Sequence, residues 1–276
     1  MGFTDFARQH GLIVDNLISN RWIATPTEDH PRKKNGRYKW LGEVGWVQNW
    51  ATMDAPVMWR SDSRVDYRPL IQADNQRRVD EARAAGKKAA WILHQCKKLT
   101  HPYLSGKGFP DETADVWEVD GKRLLVLPMR RAGSLVGCQL IDEQGQKKFL
   151  QGQTTKGATL TLDAKGIPIF CEGYATGLSI RAAMRAIKMR YTIHICFSAG
   201  NMKQVARDIA GGIVVADNDP SQTGLRAAQE TGKPYWLAPT VGHDFNDAHQ
   251  DMGLFQVSQS LKSVLIHTKS SPSTET

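Results

Sequence analysis

The sequence predicts an α/β protein, α+β overall. Its centre is a mostly parallel sheet with helices on both faces, preceded by a small antiparallel β subdomain and a Trp- and cation-rich N-terminal region. Three observations carry that reading. From Leu160 onward, apolar runs of strand length alternate with helical segments, and strands that are apolar throughout belong in a sheet covered on both sides. Between His101 and Gln153 the pattern alternates at strand period around Asp120-Gly121, Ala132-Gly133 and Gln144-Gly145, as antiparallel hairpins do. Towards the N-terminus, Trp22, Trp40, Trp46, Trp50 and Trp59, five of the eight Trp, sit among glycines and turn residues.

Taken in order, Phe3, Phe6 and Ala7 mark a short amphipathic helix that stops at Gly11, and short strands and turns follow it. A longer helix is expected from Asn75 to Lys98, with Val79, Ala82, Ala89, Ile92, Leu93 and Cys96 at helical spacing and Gly86 weakening its middle. Val116 to Val119, Leu124 to Pro128, Leu135 to Asp142 and Lys147 to Leu150 make the antiparallel sheet. Four strands (Ile167 to Cys171, Ile193 to Phe197, Ile213 to Ala216, Tyr235 to Leu237) then alternate with helices at Thr176 to Met189, Met202 to Ala210 and Gln222 to Thr231. The expected divisions are an N-terminal region at 1–70, a helical connector at 71–100, the β subdomain at 101–158, the parallel-sheet domain at 159–265 and a flexible polar tail at 266–276.

Composition narrows the function classes. The chain has 276 residues, with 36 Lys+Arg against 28 Asp+Glu, a formal charge of +8. It contains no apolar stretch long enough to span a bilayer, and Asp5 interrupts what a secretion signal would need, so a cytoplasmic protein with no membrane partner is expected. Cys96, Cys138, Cys171 and Cys196 form no Cys-x-x-Cys pair, which argues against both a zinc site and a disulfide framework. A positive excess in such a protein points to a polyanionic partner. That excess is spread as +2 over residues 1–70, +4 over 71–151 and +2 over 152–276, so no basic tail accounts for it.

In an open α/β sheet, chemistry collects at the carboxyl ends of the strands. Glu172-Gly173 follows the first strand, Asp217-Asn218-Asp219 follows the third, and the loop after the fourth holds Gly242-His243-Asp244-Phe245-Asn246-Asp247. A carboxylate directly after an apolar strand is costly to desolvate unless it is paired or holds a metal. Asp217 and Asp219 point the same way in extended backbone and could together hold a hard divalent cation, with Glu172 as a further ligand or general base. Each acid alone also reads as a helix cap or turn, and the combination is what points to chemistry. His243 and His249 lack a third nitrogen or sulfur ligand nearby and read as structural.

These motifs together resemble the Toprim domain, the metal-binding module shared by bacterial-type primases, topoisomerases and certain nucleases. The stretch Glu172-Gly173-Tyr174-Ala175-Thr176-Gly177 is similar to the EGYATA signature of satellite-phage and plasmid primases, and Ser198-Ala199-Gly200-Asn201 is similar to its companion loop. His101-Pro102-Tyr103-Leu104 through Lys147-Lys148-Phe149-Leu150-Gln151-Gly152 resembles the part preceding Toprim in phage primases. The chain departs from cellular primases in having Thr176 where those often place a further acid, and in lacking a ligand set for their N-terminal zinc ribbon. The resemblance implies DNA-templated synthesis of short RNA primers from ribonucleoside triphosphates, for a phage, plasmid or other mobile element. It further implies Mg²⁺, or Mn²⁺ in its place, on Asp217 and Asp219 as principal ligands with Asp244 and Asp247 secondary and Glu172 as ligand or base. No zinc is expected.

Under that reading, triphosphate and template need cations. Arg130-Arg131, Lys147-Lys148 and Lys156, on or just after the small sheet, could line a groove facing the acids; Arg130, Lys148 and Lys156, with Ser198, Gly200, Asn201 and Lys203, are the expected nucleotide contacts, and the loop's backbone N–H groups could hold phosphate. Arg32, Lys33, Lys34, Arg37 and Trp40 combine cations with a stackable aromatic, as single-stranded DNA binding requires. With no Gly-x4-Gly-Lys-Ser/Thr loop, a replicative helicase partner would be a separate protein. The competing readings are a Toprim nuclease, which uses the same acids to cleave, and a non-catalytic single-strand-binding protein. A topoisomerase is disfavoured by the chain's length.

Overall fold

The computed structural model describes residues 1–62, 65–163 and 165–267. The chain divides into two compact units, residues 1–80 and 81–276. The tail expected at 266–276 falls outside the described residues beyond position 267.

In the first unit, helix α1 (Phe3–Gln9) precedes an antiparallel meander of β1 (Ile23–Thr25), β2 (Gly36–Trp40), β3 (Val44–Asn49) and β4 (Val57–Arg60), paired in chain order. Phe3, Ala7, Leu12, Tyr38, Val47 and Trp59 form its core. Phe3 meets the Trp59 ring edge-on at 5.5 Å. Gly45 is required beneath it, because a Cβ there would lie 2.4 Å from the Phe3 ring. The tryptophans thus divide: Trp59 is core, whereas Trp50 is exposed.

Helix α2 (Arg68–Gln95) starts earlier and ends earlier than its apolar spacing suggested. The residues after it form strand β5 (Lys97–Leu99), which pairs antiparallel with Ala114, Asp115 and Val116. In the second unit, the half of α2 from Glu81 packs Ala85, Ala89 and Ile92 onto Val126, Cys138 and Leu150. After β5 come a short helix α3 (Pro102–Gly106) and β6 (Ala114–Val119), β7 (Lys122–Arg131), β8 (Ser134–Ile141) and β9 (Lys147–Phe149), an antiparallel sheet in the order β5-β6-β7-β8-β9. The hairpin turns at Asp120-Gly121 and Ala132-Gly133 have positive φ at both residues, the backbone that matches the twist of paired strands. Alternate residues of this sheet face opposite ways. Val126 and Cys138 lie under α2, while Leu125, Leu127 and Ile141 join the main core of the unit.

The second sheet is built from β10 (Leu160–Asp163), β11 (Ile167–Cys171), β12 (Tyr191–Ile195), β13 (Ile213–Ala216) and β14 (Tyr235–Leu237), interleaved with α4 (Tyr174–Ala186), α5 (Ala199–Asp208) and α6 (Thr223–Gln229) and followed by α7 (Phe245–His267). Its strand order is β10-β12-β11-β13-β14. Only β10 is antiparallel, an edge strand that sequence reading left unassigned. Ile169, Cys171, Ile193, Ile213 and Val215 pack with Leu178 and Met184 of α4 and Val257 and Leu261 of α7. Phe170, Val214 and Ala216 face the other way, onto Met202 and Val205 of α5 and Ala227 and Ala228 of α6. Burial on both faces is why the central strands β11 and β13 are apolar throughout, whereas β12 carries Thr192 and His194 at its half-buried positions. The main omission from the sequence was α7, since residues read as a loop through Asp247 already form its first turn and Gly253 (φ 80°) interrupts it. The chain passes from β11 to β12 on one side and then to β13 on the other. The order therefore reverses between β11 and β13, opening a crevice at their carboxyl ends.

Candidate active site at the carboxyl edge of the parallel sheet

Glu172 and Asp217 leave the ends of β11 and β13, flanking the crevice. Burial, reinforced by the charge of Asp219, pushes the Glu172 carboxyl up to about 7, although the Ala199 N–H at the start of α5 donates to it. Asp217 is pushed further, to about 8, by burial and then by the charges of Glu172 and Asp244. Its Oδ1 is buried with no hydrogen-bond partner. Such an oxygen costs free energy that a folded chain normally avoids, and a cation in the crevice would remove the cost. Among the described residues, no group of three or more His, Cys, Asp or Glu side chains is gathered tightly enough to hold a metal. The acids thus converge in charge without forming a closed cage.

The other predicted acids serve local structure first. Asp219, whose burial alone would raise it, is held below the usual carboxylate range by the Ser221 hydroxyl and the N–H groups of Gly224, Thr223 and Ser221. Its Oδ1 accepts from Ser221 N–H at 2.9 Å and its Oδ2 from Gly224 N–H at 3.0 Å, so it fixes the turn into α6. Gly224 is needed there because a Cβ would lie 2.5 Å from the Asp217 carbonyl oxygen. Asp244 and Asp247 form a reciprocal capping box at the start of α7. Asp244 Oδ1 accepts from the N–H of Asn246 (2.7 Å) and Asp247 (2.9 Å), and Asp247 Oδ2 accepts from Asp244 N–H (3.0 Å). Asp247 also meets Lys107 Nζ at 3.5 Å. Thr176 is buried in α4.

The residues expected to contact nucleotide separate in the same way. Ser198 caps α5 by accepting from Asn201 N–H at 3.3 Å. Asn201 is buried and fully engaged: its amide donates to the carbonyls of Ala158 and Cys196, both at 2.8 Å, and its Oδ1 accepts from Gly157 N–H at 2.6 Å. It staples the turn holding Lys156 to α5, and its polar atoms are not offered to a ligand. Lys203 is paired with Glu230 at 2.6 Å, away from any free role. Gly200 and Lys156 are exposed, as is Arg130, whose backbone exchanges hydrogen bonds with Thr159 (2.9 and 2.8 Å) and so joins the two sheets. Phe197, just before the loop, holds φ +67°, a conformation rare for a bulky residue.

Register decides between the two lysines of β9. Lys147 pairs with Ile141 and shares its face, towards the main core of the unit, whereas Lys148 pairs with Leu140 on the α2 side. Lys147 is accordingly the lysine whose charge lowers both Glu172 and Asp217, while Lys148 stands on the other side of the sheet. Phe149, on the same side as Lys147, meets Phe197 edge-on at 6.4 Å. Asn218 was also missed. Its Nδ2 donates to the Ala238 carbonyl (2.8 Å), its N–H to the His243 carbonyl (3.0 Å), and its own carbonyl accepts from Gly242 N–H (2.6 Å), tying the Asp217 loop to the segment entering α7. Asn246, fully buried, bonds the Lys107 carbonyl and the Ser179 hydroxyl, which also meets His249 Nδ1 at 3.0 Å. His243 pairs with Asp251 at 3.1 Å, so both histidines have structural partners.

In the N-terminal unit the cationic stretch is also divided. Arg32, Lys33 and Lys34 are exposed on the turn into β2. Arg37 lies over the Trp22 ring at 4.4 Å and 6.0 Å from that of Trp50, with its Nε donating to Gln48 at 3.0 Å. Trp40 is half-buried and donates to the Gly42 carbonyl at 2.7 Å, which leaves Trp50 as the exposed aromatic beside the cations. Lys39 is buried in an ion pair with Asp74.

Two comparisons bear on this arrangement. A chain in a solved assembly, described as bacteriophage T7 lagging-strand DNA polymerase interacting with primase domains of two gp4 subunits bound to an RNA/DNA hybrid and dTTP, is similar over 61% of this chain and 91% of its own. Its identity is 14% and its TM-score 0.44. The Toprim domain family matches residues 168–254, which run from β11 through the capping box of α7. Glu172 and Asp217, at the carboxyl ends of adjacent parallel strands, lie inside the stretch that is similar to the Toprim domain.

Proposed function

We propose that this protein is a DNA primase, making short RNA primers on single-stranded DNA for replication of a phage, plasmid or other mobile element. The observation that supports it most is Asp217, a carboxylate with a buried unpartnered oxygen, pressed by Glu172 and Asp244 and faced by Lys147 at the edge of a Toprim sheet. That combination suits a divalent cation, Mg²⁺ or Mn²⁺, with Asp217 and the less occupied Oδ2 of Asp219 as the holding oxygens. When bound, the cation would neutralise charge developing on the phosphate oxygens.

The chain's own groups supply the rest. A ribonucleotide 3′-hydroxyl attacks the α-phosphorus of an incoming triphosphate, an O–P bond forms, and the bond to pyrophosphate breaks. Glu172, at about 7, can accept the hydroxyl proton near neutral pH on a carboxylate oxygen not occupied by the Ala199 N–H. Lys147 draws the triphosphate charge towards the acids, and Lys156 stands on the stapled turn nearby. Arg32, Lys33, Lys34 and the Trp22–Arg37–Trp50 group supply cations and a stacking face for template.

The test supplies single-stranded DNA, four ribonucleoside triphosphates and Mg²⁺, and looks for short labelled RNA. The expected result is product from the wild type and none from Asp217→Asn or Glu172→Gln proteins with unchanged circular dichroism. Degradation of the DNA without nucleotide incorporation would overturn the assignment in favour of a nuclease.

A further inference from the structure

The largest positive excess in the sequence, +4 over residues 71–151, is not accounted for by the acidic crevice. Within it, residues 81–100 hold five cations (Arg83, Lys87, Lys88, Lys97, Lys98) against the single acid Glu81. Lys97 and Lys98 are committed to Glu118 (3.6 Å) and Asp115 (2.9 Å). Lys87 and Lys88 are exposed on α2 and have no acidic partner among the described residues. One turn further along the same helix stands Trp91, 55% exposed, an unusual position for so large an apolar ring. It is not loose. The half-buried Trp117 of β6 packs against it in a T-shaped pair, centroids 5.8 Å apart at 85°, while about half of the Trp91 surface stays open to solvent.

Helix α2 crosses the small sheet in this unit. Gly152, after β9, abuts Glu81, Lys88 acts on Cys138 of β8, and Trp91 meets Trp117 of β6. Lys148 emerges on this same side of the sheet, one residue from the Lys147 that faces the acids. Cations and a braced aromatic therefore run from the strand bordering the crevice across the outer face of α2. An apolar protein partner would not call for unpaired lysines beside the ring, whereas a phosphodiester chain with stackable bases satisfies both.

We infer that the outer face of α2, with Trp91 as the stacking platform and Lys87, Lys88 and Lys148 as phosphate contacts, binds single-stranded nucleic acid. This shares with the primase reading only the premise that single strands are the partner. It is tested in EDTA without nucleotides, where neither metal nor catalysis contributes. Fluorescence anisotropy of a labelled oligothymidylate with the full chain should show about 5- to 100-fold weaker binding for Trp91→Ala, the scale of one lost base stack, while Trp91→Phe stays close to wild type. Lys87→Ala/Lys88→Ala should reduce the slope of log affinity against log salt by about 1.4, two single-strand phosphates. Exposure of all three side chains predicts unchanged circular dichroism and thermal midpoint. Binding by Trp91→Ala as tight as wild type, or an unchanged salt slope in the double variant, would overturn the inference whether or not the protein makes primers.

Discussion

The cationic stretch Arg32 to Trp40 and the acidic edge of the parallel sheet are both concentrations of like charge, yet the chain treats them oppositely. In the first, each charge finds a place that suits it: Arg37 lies over the Trp22 ring, Lys39 pairs with Asp74, and Arg32, Lys33 and Lys34 stand in water. At the second, Glu172 and Asp217 are half-buried within reach of each other's field, and both are pushed towards the protonated form. Like charges in solvent cost little, whereas like charges at a half-buried sheet edge are relieved by taking up protons or by binding a cation. On the proposed function, the crevice is where a bound cation would relieve the conflict, whereas the charges of the turn need no ligand to be stable.

The first way to break the contrast is to remove the conflict. Asp217→Asn and Glu172→Gln should reduce primer synthesis at least about a thousandfold, the scale on which groups acting as a unit are lost, while the metal-free proteins unfold at higher denaturant than wild type. A lower midpoint would mean the two carboxylates are not in conflict. Next, Lys39→Met leaves Asp74 buried beside Arg77 without its second cation, and should destabilise the N-terminal unit by about 3–5 kcal/mol, read as a lower urea midpoint. Asp244→Ala removes the cap of α7 and should cost about 1 kcal/mol. Least affected should be the variant Arg32→Ser/Lys33→Ser/Lys34→Ser. Its stability should stay within about 0.5 kcal/mol of wild type, as for ordinary surface positions, with only the salt dependence of single-strand binding flattened.

How much of this was legible in the sequence depended on periodicity. The strands at Ile167–Cys171 and Ile213–Ala216 match their expected bounds because burial on both faces favours short unbroken apolar runs, and Tyr235–Leu237 matches as well although Tyr235 is exposed at the sheet edge. Helix α7 was hidden by Gly253 and by a polar first turn, whose Asp-x-x-Asp spacing reads equally as a ligand pair and as the capping box it forms. Glu172 and Asp217 could be singled out because each follows an apolar strand directly. Asp219 could not be separated from Asp217 by spacing, since the difference between them is which carboxylate the turn into α6 satisfies. Lys147 and Lys148 were indistinguishable until the register of β9 against β8 assigned each to a face, because one residue of slip exchanges the two sides of a strand.

The raised carboxyls also fix the sign of the pH dependence. Glu172 and Asp217 titrate higher in the folded chain than in the unfolded one, so between about 4 and 8 the folded state holds more protons, and metal-free stability falls as pH rises through that window. A cation that binds the ionised acids must expel those protons. Calorimetric titration of Mg²⁺ into the protein at pH 7, repeated in buffers of different ionisation enthalpy, counts them directly. The account predicts net proton release in the wild type and none beyond background in Asp217→Asn. Mg²⁺ binding with no proton release in the wild type would contradict it.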